Sequence, residues 1–536
     1  MTFNKYCLHF VCLLLLFPIL AFAQEKKKDW GKLSGSIELN TGYFFEDKKL
    51  GIKDVENPFA INTYLNLGYA LKGFSCGLQY ELYEPPMPGF DNLEGNKLIQ
   101  GFMKFTHSDF SVNLGNMYEQ FGSGLVLRSY EDRPMGINNS LLGANVAWRP
   151  VDGIALKGVF GFPRKYLKYA DTRMYGVDAE VEILNLWENE SDAFLLLGGS
   201  WVLRDDHSEK HYHNTPQSVN MYAGRLDFTK GCISLGGEYV AKSKSLYYDM
   251  SKGYLPRKGS ALLMRLGVNV PGIGFSFEMR RLDNMGLRTD DNLEEVAVNM
   301  NYLPALTKQH KYMLASLFPH EVKEGEIGGQ FDLFGEIPWG CLKENPIHFA
   351  LNGSMYRKLA VKNEKEMEFK YFSLDGDLLF GEIGLELSRT FGKNFKGNLT
   401  YVHQKKSEFS KYGFGQMEMS SDILVGDFLY KFTKKNSLRM EVQHAWSDSK
   451  DDQRWVMGLL EGGFAPHWMV FVSDMYNYKS AGDSIHYYSV GGSYVWNNLR
   501  VSLSYARNRA GLQCSGGVCR YLPEYSGMNL LLTFFI

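Results

Sequence analysis

The C-terminal run Gly527 to Ile536 alternates strictly, so that Met528, Leu530, Leu532, Phe534 and Ile536 share one face. At the other end, Met1 to Ala23 carries the parts of an export signal: a charge at Lys5, an apolar run from Leu8 to Leu20, and small residues at Ala21 and Ala23 before Gln24. An exported chain that stops on an amphipathic strand is constrained first toward a β-barrel of a Gram-negative outer membrane. The apolar run falls short of the ~20 residues a spanning helix needs and is followed by Gln24, Glu25 and lysines, which favours cleavage over an anchor. Cys12 lies inside that run rather than at the cleavage site, which argues against a lipid-anchored cysteine. The expected division is a signal peptide at 1–23, a short periplasmic N-terminus at 24–31, and a barrel over 32–536.

Beyond Ala23 no apolar stretch is long enough to cross a membrane as a helix, although the chain is 14% aromatic and holds 55 glycines. A barrel crosses with only every second residue apolar, because its backbone groups are satisfied between strands and its inner face meets water. A mean hydropathy of -0.25 is therefore compatible with outer-membrane lipids as surroundings. The formal net charge of -2 is too small to suggest nucleic acid or an acidic polymer as a partner.

Alternation recurs along the chain: Ile37, Leu39, Thr41 and Tyr43 oppose Ser36, Glu38, Asn40 and Gly42, and Leu499, Val501 and Leu503 oppose Arg500, Ser502 and Ser504. Aromatic residues such as Trp496, Tyr430 and Phe432 flank these runs, as at a headgroup boundary. Tight-turn sequences (Lys72-Gly73, Asp152-Gly153, Lys230-Gly231, Pro271-Gly272, Asn497-Asn498) alternate with long connections at 46–58, 84–97, 119–139, 162–173, 205–216, 242–258, 407–416 and 510–520. The fold expected is all-β: a single transmembrane antiparallel barrel with short periplasmic turns and long extracellular loops. It has about 26 strands, within about 24 to 28, the irregular stretch 304–391 setting the spread. So wide a bore needs closing by inward loops, a flattened section or a plugging partner. With the first strand near Lys32, a separate plug domain of the TonB-dependent kind has no room.

The connection Tyr118 to Asn139 is the candidate constriction, because Arg128, Glu131, Asp132 and Arg133 lie beside apolar and aromatic residues with glycines at 122, 124 and 136. The alternative is an extended hairpin whose charges are solvated or paired with each other. Expected lumen charges, among them Arg225, Asp227, Arg265, Arg280, Arg439, Glu441 and Arg500, carry both signs. A mixed lining favours cross-strand salt bridges bracing the wall over a selective substrate track. Cys514 and Cys519 flank Ser-Gly-Gly-Val and read as a small disulfide loop in an oxidising compartment, while Cys76, Cys232 and Cys341 read as small packing residues. The loop sequence DDHSEKHYH, with Asp205, Asp206, His207, His211 and His213, has metal-ligating groups without a recognised ligand pattern, and no metal or cofactor is assigned to it. No Gly-x-Ser-x-Gly, P-loop or HExxH sequence is present, so an enzyme is the weaker class.

The segments YEQFGSGLVLRSYEDRPMGINN and CRYLPEYSGMNLLLTFFI resemble a family of uncharacterised outer-membrane barrel proteins of Bacteroidota-type bacteria. The resemblance spans nearly the whole mature chain and implies the location and the barrel, without site residues to carry over. Ile536 departs from the usual terminal Phe, leaving Phe534 and Phe535 for recognition by the barrel assembly machinery. The function expected is a passive or partner-gated conduit for polar solutes or an exported cargo. The alternative is a non-conducting structural or secretion-associated barrel whose loops bind a partner protein or polymer.

Overall fold

The computed structural model describes residues 30–187, 192–249, 252–303, 305–338, 345–363, 367–409, 416–448, 453–479, 484–515 and 518–536. The expected signal peptide and Cys341 lie outside the described residues. The barrel strands are β1 Lys32–Phe45, β2 Phe59–Leu71, β3 Phe74–Tyr83, β4 Gly95–His107, β5 Phe110–Met117, β6 Leu141–Val151, β7 Ile154–Lys165 and β8 Thr172–Glu182. They continue as β9 Ala193–Asp206, β10 Ser218–Lys230, β11 Ile233–Asp249, β12 Gly253–Val270, β13 Ile273–Asp283, β14 Gly325–Ile337, β15 Ile347–Lys358 and β16 Leu378–Phe391. The wall is completed by β17 Phe395–Phe409, β18 Gln416–Lys431, β19 Asn436–Asp448, β20 Arg454–Phe464, β21 Trp468–Lys479, β22 His486–Trp496, β23 Leu499–Asn508 and β24 Tyr525–Phe535.

Each strand pairs antiparallel with the next, and β24 closes on β1 with Leu39 opposite Leu532 and Tyr43 opposite Met528. An antiparallel ring of even strand number brings both ends of the barrel to one rim, the rim of the tight turns. The ring has 24 strands, with the two-residue strand Lys168–Tyr169 added beside β7. Its 24 strands lie at the lower end of the expected range of about 24 to 28, and the connection 284–324 contributes no barrel strand among the described residues. Among the described residues no helix is long and apolar enough to cross a membrane.

Two expectations are corrected. The segment 242–258 is not a loop: β11 and β12 run on as a paired ribbon to Asp249 opposite Gly253. Cys232 does not pack but lies exposed in the turn between β10 and β11.

Burial along the wall is the reverse of that in a water-soluble barrel. On β10, Met221 and Arg225 are 0% and 7% exposed, whereas Tyr222 and Leu226 are 56% and 44% exposed. Leu235, Tyr239, Met264, Leu399, Val442, Val472 and Leu503 continue the exposed apolar surface around the ring. Contiguous apolar exposure of this extent is unfavourable in water and favourable against lipid tails.

The buried residues lie inside the ring. One apolar cluster joins Phe121, Leu125, Val126 and Leu127 with Met285, Leu287 and Met300, and seats both groups on inward residues of β5 to β16 such as Val159, Met221, Val240 and Leu263. A second joins Tyr312, Leu314, Ala315 and Leu317 with Val402, Ile423, Val425, Ala445, Trp455, Met457 and Met475 on β17 to β21. Segments 118–140 and 284–324 therefore enter the bore, and the latter reaches across it. Phe121 rests on Gly176 of β8, where an added Cβ would lie 2.7 Å from the Phe121 ring and 2.8 Å from Val159. Gly176→Val is expected to destabilise the fold by about 1–3 kcal/mol through overpacking, read as a lower urea midpoint of the barrel in micelles.

Candidate functional site

The two entering segments form one folded unit. The Arg128 N–H donates to the Met300 carbonyl and the Tyr302 N–H to that of Gly124, both at 2.9 Å. The Asn301 side-chain amide donates to the carbonyls of Leu125 and Met285, each at 2.8 Å. Arg128 lies over the rings of Tyr302 and Tyr130, 4.0 and 4.9 Å from their centres. Buried backbone in a loop needs such partners. We refer to this unit as the plug.

Charged groups hold the plug to the wall. Arg204 on β9 donates to both carboxylate oxygens of Asp291 at 2.9 and 2.7 Å. Lys165 at the end of β7 meets Asp290 and Glu295, both at 2.9 Å. From the plug, Lys308 reaches Glu386 at 3.4 Å, His310 reaches Glu382 at 2.9 Å, and the Ser123 N–H donates to Glu238 at 3.0 Å. Glu326 receives the buried Arg280 guanidinium and lies 3.2 Å from His320, which stacks on Tyr356. The driest of these, Arg204–Asp291, Lys165–Asp290 and Arg280–Glu326, keep much of their Coulombic strength but require every partner in place.

The residues expected at a constriction lie in the plug. Tyr118 accepts a hydrogen bond from Gln100 at 2.9 Å, and Glu131 accepts one from Gln79 at 2.8 Å. Asp132 accepts the Met135 N–H at 3.1 Å, which closes the local turn. Arg133 meets Glu38 of β1 at 3.1 Å and Glu131 at 3.3 Å, so its charge is shared between the wall and its own segment. The pairing of Arg133 with Glu131 matches the alternative reading, in which the charges satisfy each other, but the segment carrying them lies inside the bore.

The expected lumen charges are mostly braces. Arg225 meets Asp178 and Glu180 at 2.8 Å each, crossing β9 where Gly198 leaves room: a Cβ there would lie 2.4 Å from the Arg225 Nε. Arg265 meets Asp227 at 2.9 Å, and Arg439 binds Asp427 at 2.8 Å and also Glu441. Arg280 pairs with Glu326. Arg500 is exposed on the inner face of β23 near the short-turn rim. Cys514 and Cys519 are joined by a disulfide within the hairpin 511–522.

Among the described residues, His211 is the one of the three loop histidines that joins a cluster of possible metal ligands, and its partner Asp291 comes from the plug rather than from the DDHSEKHYH sequence. Ligand atoms of Asp206, His211 and Asp291 lie within 4.8 Å of one another. His211 Nδ1 faces Asp206 at 2.7 Å and Nε2 faces the Thr215 carbonyl at 3.0 Å, so both nitrogens point at acceptors, while Arg204 occupies Asp291. The chemistry is that of a clasp between the 207–217 loop and the plug. Burial opposes the His211 charge, but the Thr215 carbonyl and the carboxylates of Asp206 and Asp291 outweigh it and raise its pKa. A raised histidine stabilises fully below its unfolded value of about 6.5, and that contribution is lost as pH climbs through the folded value. Proteolysis of the 207–217 loop is expected to accelerate as pH rises through that window, and His211→Asn to abolish the acceleration. At the acid end, hydrogen bonds from Lys168 and Lys165 hold Glu295 at about 2. Its depressed value makes its stabilisation complete above the ordinary carboxylate range and lost only as pH falls toward that value.

A closed antiparallel barrel with an apolar outer face and a bore occupied by its own chain defines the class: an outer-membrane β-barrel with an internal plug. The chain belongs to the family of unknown function DUF6029, whose profile matches residues 3–535. No curated protein matches it by sequence. Among solved structures it is similar to the siderophore receptor PirA from Pseudomonas aeruginosa, at 10% identity and a TM-score of 0.41, covering 95% of this chain and 81% of that one. It is also similar to the translocation pore of the P pilus usher PapC, at 8% identity and a TM-score of 0.38, covering 94% and 99% of the two chains. OccK1 (OpdK) from Pseudomonas aeruginosa shares 9% identity at a TM-score of 0.34, covering 94% and 98%.

Proposed function

We propose that this protein is a narrow outer-membrane conduit for small polar solutes, exported with residues 1–23 removed, in which the plug reduces a wide bore to a passage along one wall. The observation carrying this reading is the asymmetry of the lining. On β7 to β13 the inward residues are large and buried under the plug, as with Arg225, Glu238, Val240 and Leu263. On β21 to β24 and β1 many are small or polar and only partly buried, including Ser473, Ser489, Gly491, Ser504, Asn529 and Asn40, with Met475 and Tyr487 packed against the plug at its edge. Polar groups lining one side of a constriction allow hydrated solutes to pass, while a plug fixed to the other side sets the size limit. The filled bore favours a second reading, a non-conducting barrel whose loops bind a partner.

Swelling of proteoliposomes in sugars of graded size separates the two. A conduit admits the smallest sugars and excludes larger ones, whereas a non-conducting barrel, folded by heat-modifiable migration, admits none.

A further inference from the structure

Between plug residues 305–320 and strands β20 to β23 lies a cavity of about 350 Å³. Its apolar lining includes Met313, Leu317, Met457, Met475 and Leu512, and Gln513 of the disulfide-closed hairpin lies at its edge. Five basic side chains line it, and four face carboxylates: Lys308 faces Glu386, His310 faces Glu382, His320 faces Glu326, and Arg507 meets Asp47 at 2.6 Å.

Arg509 is the fifth. Its guanidinium lies 5.7 Å from the Trp455 ring centre, and among the described residues it has no hydrogen-bond or ion-pair partner. Burial lowers its pKa, opposed only by the phenols of Tyr487 and Tyr521, with no carboxylate to offset the cost. An arginine nevertheless stays protonated, so the cavity holds a positive charge without a carboxylate partner of its own among the described residues, its donors set in a fork that matches a carboxylate.

We infer that this cavity binds a small organic carboxylate, its anionic head on Arg509 and its apolar body against the methionine and leucine side chains. The apolar lining gives the body a place that an inorganic oxyanion would leave empty. The inference deepens the conduit reading by naming a solute class, yet it concerns equilibrium binding and is measured without transport.

The test is calorimetric titration of the folded full-length barrel in micelles with cyclohexanecarboxylate, its neutral amide, cyclohexylammonium and inorganic phosphate. The expected result is saturable binding of the carboxylate, at least about tenfold weaker binding of the amide, and none of the ammonium. Arg509→Gln should weaken carboxylate binding at least about tenfold, Arg509→Lys should restore part of it, and Arg173→Gln, an exposed arginine on β8, should change nothing. Equal binding of carboxylate and amide, tighter binding of phosphate, an unchanged Arg509→Gln, or no binding overturns the inference. Binding without sugar permeation would sink the conduit and leave this site standing; permeation without binding would do the reverse.

Discussion

Replacing residues 306–322 by a short glycine-serine linker is expected to raise single-channel conductance in a planar bilayer by about tenfold or more, because the bore of a barrel this wide is limited by what fills it. The segment crosses from the Lys308–Glu386 and His310–Glu382 pairs to the turn at 314–316, where the Leu314 N–H donates to Gln443 at 2.9 Å and the Ala315 carbonyl accepts from Gln404 at 3.0 Å. No barrel strand lies within it, so the hydrogen-bonded ring is untouched. Its removal uncovers Val402, Ile423, Val425 and Met457, which lowers stability without opening the wall. Deletion of 122–136 is expected to act in the same direction but with a larger loss of stability, because it removes Leu125, Val126 and Leu127 from the main buried cluster.

The second large effect concerns the anchor between wall and plug. Asp291→Ala leaves Arg204, 1% exposed, without its bidentate partner. An uncompensated buried charge of this kind costs about 3–5 kcal/mol. Urea unfolding followed by heat-modifiable migration should show that loss, and trypsin should reach Arg288 in the variant before the wall unfolds. Combining Arg204→Met with Asp291→Leu should recover most of the stability, since an apolar pair needs no compensation. An equal loss in the single and double variants would mean that shape, rather than charge, holds the plug at this point.

The wall was legible in the sequence because each crossing repeats a period of two, and Lys72-Gly73, Pro271-Gly272 and Asn497-Asn498 mark the tight rim without reference to anything distant. The segment 118–140 could be singled out because its charges and glycines sit in a run too long for a loop tip. The segment 284–324 could not: Met285, Leu287, Met300 and Leu314 follow no strand period, and their burial comes from Val402 or Met221, far away in the chain. Part of this plug falls in the irregular stretch 304–391 that set the spread of the expected strand number. The wall braces were readable as a class but not as pairs. Arg225 skips a strand to reach Asp178, and Gly198 lets it do so, which register alone does not specify. Likewise His211 lies in a histidine-rich loop, but its cluster is completed by Asp291 from the plug.

The central claim is that solutes pass beside the plug along β21 to β24 and β1. It is tested most directly by current block in a chain whose Cys76, Cys232 and Cys341 are serine and which carries Ser504→Cys or Ala223→Cys. Ser504 faces the sparsely covered wall, whereas Ala223 packs against the plug on β10. A bulky membrane-impermeant thiol reagent is expected to cut the current through Ser504→Cys and leave that through Ala223→Cys unchanged. Equal block at both positions, block at Ala223 alone, or a steady current through a fully labelled Ser504→Cys barrel would contradict the claim.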